Sequence, residues 1–163
     1  MVIRYKNYLD TSIIFKWIIT PDGNEKDISD YTKFRNTDSG FPLYTINDCI
    51  KELYELIEKM KDREHLQDYN KNRLLNRINA IIKNRSIKIQ EFNSNEIKNN
   101  TAIISLKEEY PKLSYVDAAL IICIKRDSMV SQLITADKYL AKKARKEGIQ
   151  SEPKGEVQIK GWR

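Results

Sequence analysis

Three aspartates that lie far apart in the sequence each occur where a predicted strand ends or a predicted helix begins. Asp10 ends a strand-like segment in YLDTSII, and Asp137 follows a second one in LITADKYL. Asp117 lies three residues after Ser114, a residue type that commonly caps the start of a helix. In open parallel sheets, functional groups gather at the carboxyl ends of the strands. We therefore expect these three acids to lie at one edge of a sheet.

A fourth carboxylate, Glu52, lies one turn into the helix predicted after the second strand. Asp48 and Glu55 are on the same segment and could take its place. Carboxylates that converge repel one another, and either protons or a divalent cation must neutralise them. Oxygen ligands of this kind suit Mg²⁺ or Mn²⁺ rather than zinc. A metal held there could activate water and stabilise charge on a phosphate, which is the chemistry of phosphodiester hydrolysis.

Each acid also has a purely structural interpretation. Asp137 could cap its helix, and Asp117 could stabilise the positive end of a helix dipole. Asp10, followed by Thr11, could cap the next helix, and Glu52 could be a solvated helix residue. The joint arrangement of the four favours the functional interpretation.

The elements that must position these acids alternate along the chain. Strands are predicted at 4–10, 43–46, 86–92, 132–135 and 156–159, and helices at 11–19, 49–60, 62–85, from 93 or 94 to 110, from 114 onward and at 137–147. Residues 20–40 form the most polar stretch and are predicted to be a long loop. This alternation predicts an α/β fold with three layers, α/β/α, around a mostly parallel central sheet. The length of 163 residues and the lack of a flexible linker predict a single domain spanning 1–163.

Composition narrows the classes of function. The net charge is +6, which favours a polyanionic partner such as nucleic acid. The sequence has no apolar run long enough to cross a membrane and no secretory signal at its N-terminus, so a cytoplasmic location is expected. Cys49 and Cys123 are predicted to be buried, reduced thiols, and with His65 as the single histidine a zinc site is not expected.

Four segments together resemble the PIN-domain family: YLDTSIIF, YTINDCIKEL, LSYVDAALI and LITADKYLAKKA. The resemblance runs in order from residue 3 to about residue 159. It implies that the acidic site consists of Asp10, Glu52, Asp117 and Asp137, with the first, third and fourth holding the metal. It also implies that Thr11, Ser12 and Thr135 are neighbouring hydroxyls, which we expect to orient a carboxylate or a bound water.

The family resemblance implies a metal-dependent ribonuclease that acts on RNA. Many small members are VapC-type toxins, which pair with an antitoxin protein and are often dimeric, whereas others process ribosomal RNA. The sequence does not separate these branches. The basic residues Lys138, Lys142, Lys143, Arg145 and Lys146 either contact the RNA backbone or form a solvated helix face that balances the helix dipole.

Three other functions remain open from the sequence. A non-catalytic scaffold that binds RNA or a ribosomal partner is the main alternative, although a scaffold has no need for concentrated acids. A haloacid dehalogenase type of phosphatase would carry a second acid at the position of Ser12. A nucleotide-binding Rossmann domain would carry a glycine-rich loop, which the sequence lacks.

Overall fold

The computed structural model describes residues 6–19, 43–63, 68–91, 100–127 and 131–152. The strands are β1 (Lys6–Leu9), β2 (Leu43–Ile46), β3 (Lys88–Gln90), β4 (Ser131–Ile134) and β5 (Gln150–Glu152). The helices are α1 (Thr11–Ile19), α2 (Asn47–Arg63), α3 (Asp68–Asn84), α4 (Thr101–Glu109), α5 (Tyr115–Arg126) and α6 (Lys138–Lys146).

The five strands form one parallel sheet in the order β3-β2-β1-β4-β5. Strand β1 is central, and pairs Tyr8 with Tyr44 of β2 and Leu9 with Ile134 of β4. Strands β2 and β3 lie on one side of β1, and β4 and β5 lie on the other side. The direction in which the chain adds strands therefore reverses between β1 and β4. A crevice forms at the carboxyl ends of the strands where the winding of such a sheet reverses.

Two hydrophobic clusters cover opposite faces of this sheet. Tyr8 and Leu133 belong to one cluster, whereas their chain neighbours Leu9 and Ile134 belong to the other. This is the alternation expected of strands that are buried on both faces. Helices α4, α5 and α6 contribute to the first cluster, and α1 and α3 to the second, while α2 contributes to both. The fold therefore has the three layers that the sequence predicts.

Helix boundaries follow local chemistry. Asn100 caps α4 by accepting hydrogen bonds from the N–H groups of Ala102 and Ile103. Gly148 follows Glu147, the C-cap of α6, and adopts a φ of +83°, a conformation that favours glycine and ends the helix. No helix within the described ranges is long and apolar enough to cross a membrane.

Some predicted boundaries were wrong. The range predicted as one helix, 62–85, falls on two helices: its first residues belong to α2, which ends at Arg63, and α3 begins at Asp68. Strand β5 lies at Gln150–Glu152, where no strand was predicted. The predicted strand at 156–159, the predicted loop at 20–40 and the predicted helix start at 93 or 94 lie outside the described residues.

Candidate active site

Asp10 lies at the carboxyl end of the central strand and is almost fully buried, with 1% of its surface exposed. Its backbone N–H donates to the carbonyl of Ile134, which extends the β1–β4 ladder by one residue. Its Oδ2 atom accepts a hydrogen bond from Ser12 Oγ at 2.9 Å and another from Thr135 Oγ1 at 2.8 Å. Because burial of a carboxylate is costly without such donors, the two hydroxyls both stabilise it and fix its orientation.

The two hydroxyls are themselves held by the backbone that leads from β4 into α6. Ser12 Oγ accepts from the N–H of Ala136 at 3.1 Å, and Thr135 Oγ1 accepts from the N–H of Asp137 at 3.0 Å. A hydroxyl has one proton to donate, so acceptance from the backbone leaves that proton for the carboxylate of Asp10. The hydroxyl of Thr11 points elsewhere and donates to the carbonyl of Cys49 at 3.3 Å.

Asp137 is joined to Asp10 through Thr135 and lies at the start of α6. Its Oδ1 accepts a hydrogen bond from the N–H of Leu140 at 3.1 Å, so Asp137 is the N-cap of this helix. The structural role suggested by the sequence is therefore present. A carboxylate has two oxygens, and a cap on one of them is compatible with a second role.

Asp117 is also part of a helix cap. The side chain of Ser114 accepts from the N–H of Asp117 at 3.0 Å, and Asp117 Oδ2 accepts from the N–H of Ser114 at 3.3 Å, which is a capping box. Asp117 is 2% exposed. The adjacent Ala118 packs in the same core cluster as Cys49, and α5 and α2 contact each other.

The acids of α2 lie on one stripe whose exposure increases along the helix. Asp48 is buried, Glu52 is half-buried and Glu55 is exposed. Burial raises the pKa of the Cys49 thiol, and the charge of Asp10 raises it further, with a smaller contribution from Glu52.

Asp48 combines features that the sequence did not reveal. Its Oδ2 atom is buried and accepts no hydrogen bond from the described residues. Burial raises the pKa of this carboxyl, and the positive charge of Lys51 opposes the increase. Its position directly after β2 places it at the same edge of the sheet as Asp10. The sequence alone favoured Glu52 on this segment, because burial cannot be deduced from residue type.

The donors at this edge suit a hard divalent cation in type, since all of them are carboxylate or hydroxyl oxygens. As the side chains lie, however, no three His, Cys, Asp or Glu residues of the described chain are arranged to hold a metal ion. Asp117 and Asp137 each direct one oxygen to a helix cap instead. The geometry thus joins Asp10, Thr135 and Asp137 directly and places Glu52 and Asp117 on adjoining elements.

The predicted basic residues lie on α6, directly after Asp137. Lys138, Lys142, Arg145 and Lys146 are exposed, whereas Lys143 is half-buried. Lys143 lies over the rings of Tyr110 and Tyr139, with its Nζ 5.1 Å from the centroid of each. The group is therefore divided between a solvated face and one lysine that packs against aromatic rings.

Comparisons with known proteins relate the chain to solved structures by shape. Neither a family model nor a curated protein sequence matches it. PAE2754 from Pyrobaculum aerophilum aligns with a TM-score of 0.61 and 14% identity, covering 91% of this chain and 92% of that one. FitAcB from Neisseria gonorrhoeae aligns with a TM-score of 0.56 and 17% identity, covering 89% and 95%.

A domain of a functionally unknown protein from Methanocaldococcus jannaschii aligns over 98% of this chain and 95% of its own, with a TM-score of 0.50 and 16% identity. At these identities the likeness concerns the fold. Together with the parallel five-stranded sheet and its two helical layers, these alignments show that the chain has a three-layer α/β/α, PIN-like fold.

Proposed function

We propose that this protein is a ribonuclease that depends on Mg²⁺ or Mn²⁺ and hydrolyses RNA phosphodiester bonds. The observation that carries the proposal is the buried carboxylate of Asp10, held by two hydroxyls beside Asp137 where the winding of the sheet reverses. Apolar side chains at this position could stabilise the fold at least as well as a buried carboxylate. A role in chemistry therefore explains the buried carboxylate of Asp10 better than a role in stability.

In this proposal Asp10, Asp117 and Asp137 hold the metal, and Glu52 assists. A bound divalent cation would supply an activated water and would offset negative charge on the phosphate. Ser12 and Thr135 keep the Asp10 carboxylate in one orientation through hydrogen bonds whose direction is fixed by the backbone. Such outer contacts to a ligand tune both its position and its basicity.

We also propose that the protein acts with a protein partner, either an antitoxin or a second copy of itself, as the family resemblance implies. A VapC-type toxin and an RNA-processing enzyme would share the site. The two differ in whether expression of the protein alone stops growth of the host and whether a cognate inhibitor protein restores it.

A non-catalytic RNA-binding scaffold is the second candidate function. It is favoured by one observation, which is that Asp117 and Asp137 each use one carboxylate oxygen to cap a helix. In that case the carboxylates at the edge would be structural, and the basic surface would be the functional feature.

Cleavage and metal binding separate the two candidates. Wild type, Asp10→Asn and the control Glu55→Gln would be incubated with a mixed RNA pool in Mg²⁺, in Mn²⁺ and in a chelator. We expect metal-dependent cleavage by wild type and the control, and a loss of at least about 100-fold in Asp10→Asn, since the missing charge is needed to hold the metal ion that offsets charge on the phosphate. Calorimetric titration with Mn²⁺ provides a readout besides activity, and Asp10→Asn should bind the ion more weakly. Equal Mn²⁺ binding by all three proteins, together with no cleavage, would favour the scaffold.

A further inference from the structure

A group of lysines and tyrosines lies between the end of α4, the start of α5 and the outer face of α6. Lys143 Nζ is 5.1 Å from the ring centroids of both Tyr110 and Tyr139, and Lys112 Nζ is 6.0 Å from that of Tyr139. Two ammonium groups from distant parts of the chain therefore lie over one tyrosine ring. We call Lys112, Lys143 and Tyr139 the lysine–tyrosine cluster.

The tyrosine ring holds these ammonium groups in place but does not neutralise them. An aromatic face attracts a cation through its quadrupole, yet the charge remains. Partial burial lowers the pKa of Lys143, and the neighbouring positive charges of Lys146, Lys142 and Lys112 lower it further. The cluster is thus a concentration of like charge, whose repulsion an anion would relieve.

The acid that contacts Tyr110 beside the cluster, Glu147, is already paired with other groups. Glu147 binds Lys125 through Oε1 at 3.1 Å and accepts a hydrogen bond from the Tyr110 hydroxyl through Oε2 at 3.0 Å. Burial together with Glu109 and Glu147 raises the pKa of Tyr110 to about 12, so this hydroxyl stays protonated and keeps donating. Within the described residues, neither Lys112 nor Lys143 forms an ion pair.

The cluster adjoins the candidate active site. Tyr139 lies two residues after Asp137, and Lys112 lies two residues before Ser114, which caps the helix of Asp117. Lys143 lies six residues after Asp137, which is roughly 9 Å of helical rise along α6. A polyanion that extends from the acidic edge along α6 would meet the lysines with another of its phosphates.

We propose that Lys112 and Lys143, held over Tyr139, bind a backbone phosphate of RNA next to the phosphate at the acidic site. The inference rests on the proposed function for the choice of RNA as the polyanion. Lysine ammonium groups bind phosphate as point charges with rotatable donors, so the contact is independent of base sequence. Because the lysines cover the tyrosine ring, Tyr139 orders the cations rather than stacking on a base.

The salt dependence of RNA binding tests the cluster directly. The Asp10→Asn protein, which should not cleave, would be titrated with a labelled single-stranded RNA of about 12 nucleotides, a length within the usual range of single-strand sites. Each phosphate contact to single-stranded nucleic acid contributes about 0.7 to the magnitude of the slope of log affinity against log salt. Because the two lysines bind one phosphate, the double change Lys112→Gln, Lys143→Gln should reduce this magnitude by about 0.7. The same relation predicts affinity about 5-fold weaker at about 0.1 M salt.

Matched variants distinguish a phosphate contact at the cluster from the general effect of removing two positive charges. Lys59→Gln with Lys83→Gln removes the same charge from exposed positions on α2 and α3 and should leave the slope unchanged. Lys112→Arg with Lys143→Arg keeps the charge and should retain the wild-type slope. An unchanged slope in the glutamine variant of the cluster would overturn the proposal. So would equally tight, cluster-dependent binding of a polyglutamate peptide, which would assign the surface to an acidic protein.

The outcome also distinguishes this inference from the proposed function. If wild type cleaves RNA but the slope is unchanged in the cluster variant, the phosphate site fails and the ribonuclease remains. If no RNA is cleaved while the slope falls as expected, the phosphate site stands and the ribonuclease fails. In a cleaving enzyme, the cluster variant should raise KM and leave kcat near that of wild type, since the contact is made in both the ground and transition states.

Discussion

The side chain of Thr135 connects Asp10, which follows β1, with Asp137, which follows β4. Its hydroxyl donates to Asp10 and accepts from the backbone of Asp137, so its removal alters both at once. Replacement by valine keeps the shape but leaves a buried acceptor and a backbone donor without this partner. We expect Thr135→Val to lower the free energy of unfolding by about 1–3 kcal/mol and to reduce cleavage, because Asp10 loses one of its two orienting bonds.

A serine at the same position provides the control for Thr135→Val. Thr135→Ser keeps the hydroxyl and should recover most of the cleavage activity, while still losing some stability with the methyl group. Urea denaturation and cleavage rates would be measured on both variants. If the serine variant is as inactive as the valine variant, the hydroxyl is not what positions Asp10.

Asp48 provides a test of a buried carboxyl with a raised pKa. Burial disfavours its ionised form in the folded protein, so its contribution to stability is complete below an ordinary pKa of about 3.9 and is lost as pH rises. At neutral pH, Asp48→Asn removes the cost of burying the charge and should raise the free energy of unfolding by about 0.5–2 kcal/mol. The exposed Glu55→Gln should change it by less than about 0.5 kcal/mol.

Cleavage by the same Asp48→Asn protein shows whether the residue also takes part in the site. A more stable protein with reduced activity would place Asp48 among the functional acids, since buried charges at active sites are commonly kept at the expense of stability. A less stable variant would contradict the argument, because it would mean that the charged carboxylate makes a stabilising contact.

At the scale of elements, variants of Asp137 at the start of α6 can distinguish its role as a helix cap from a role in cleavage. Asparagine caps helices about as well as aspartate, whereas alanine does not. We therefore expect Asp137→Asn to keep the stability of the wild type, and Asp137→Ala to lose about 0.5–2 kcal/mol. If Asp137 serves only as a cap, cleavage should survive in the asparagine variant. If its charge is required, both variants should be inactive, and thermal unfolding would show that only one is destabilised.

The elements that were predicted well are those with strong local signals. Helix α5 begins after Ser114, and α1 spans the predicted residues. Both could be predicted because helix caps and apolar spacing depend only on residues that are close in the sequence. Of the two edge strands, β3 lies within the strand predicted at 86–92, whereas β5 was not predicted. Strand β5 is only three residues long, so it carries no alternating pattern that identifies it. The pairing of both edge strands depends on β2 and β4, which are distant in sequence.

For the whole molecule, the order of the acids along a parallel sheet was sufficient to bring Asp10 and Asp137 to one edge, because the topology rule depends only on strand direction. The same rule could not indicate which acid of α2 is buried or that Lys112 meets Lys143 over Tyr139. The contact of Lys112 and Lys143 with Tyr139 arises from the packing of α4, α5 and α6, and no local sequence pattern predicts it. Helix α6 thus takes part in both the candidate acidic site, through its N-cap Asp137, and the lysine–tyrosine cluster, through Tyr139 and Lys143.

Stability of the whole molecule should fall at alkaline pH. Burial raises the pKa of the Cys49 and Cys123 thiols and of the Tyr8 hydroxyl, which also donates a hydrogen bond to Asp127. An unfolded chain ionises its thiols above a pKa of about 8.5, whereas the folded protein keeps these protonated. Their contribution to stability is therefore complete below that pH and declines above it, by up to about 1.4 kcal/mol per pH unit for each group.

Urea denaturation at about pH 7.5, 8.5 and 9.5 would measure this decline as a slope that counts the protons released on unfolding. Cys123→Ala removes one of the titrating groups, so its slope between the two higher pH values should be smaller than that of the wild type. The loss of stability that the alanine itself causes is constant with pH and does not affect the comparison. Identical slopes would mean that Cys123 already ionises in the folded protein, which contradicts its burial in the core.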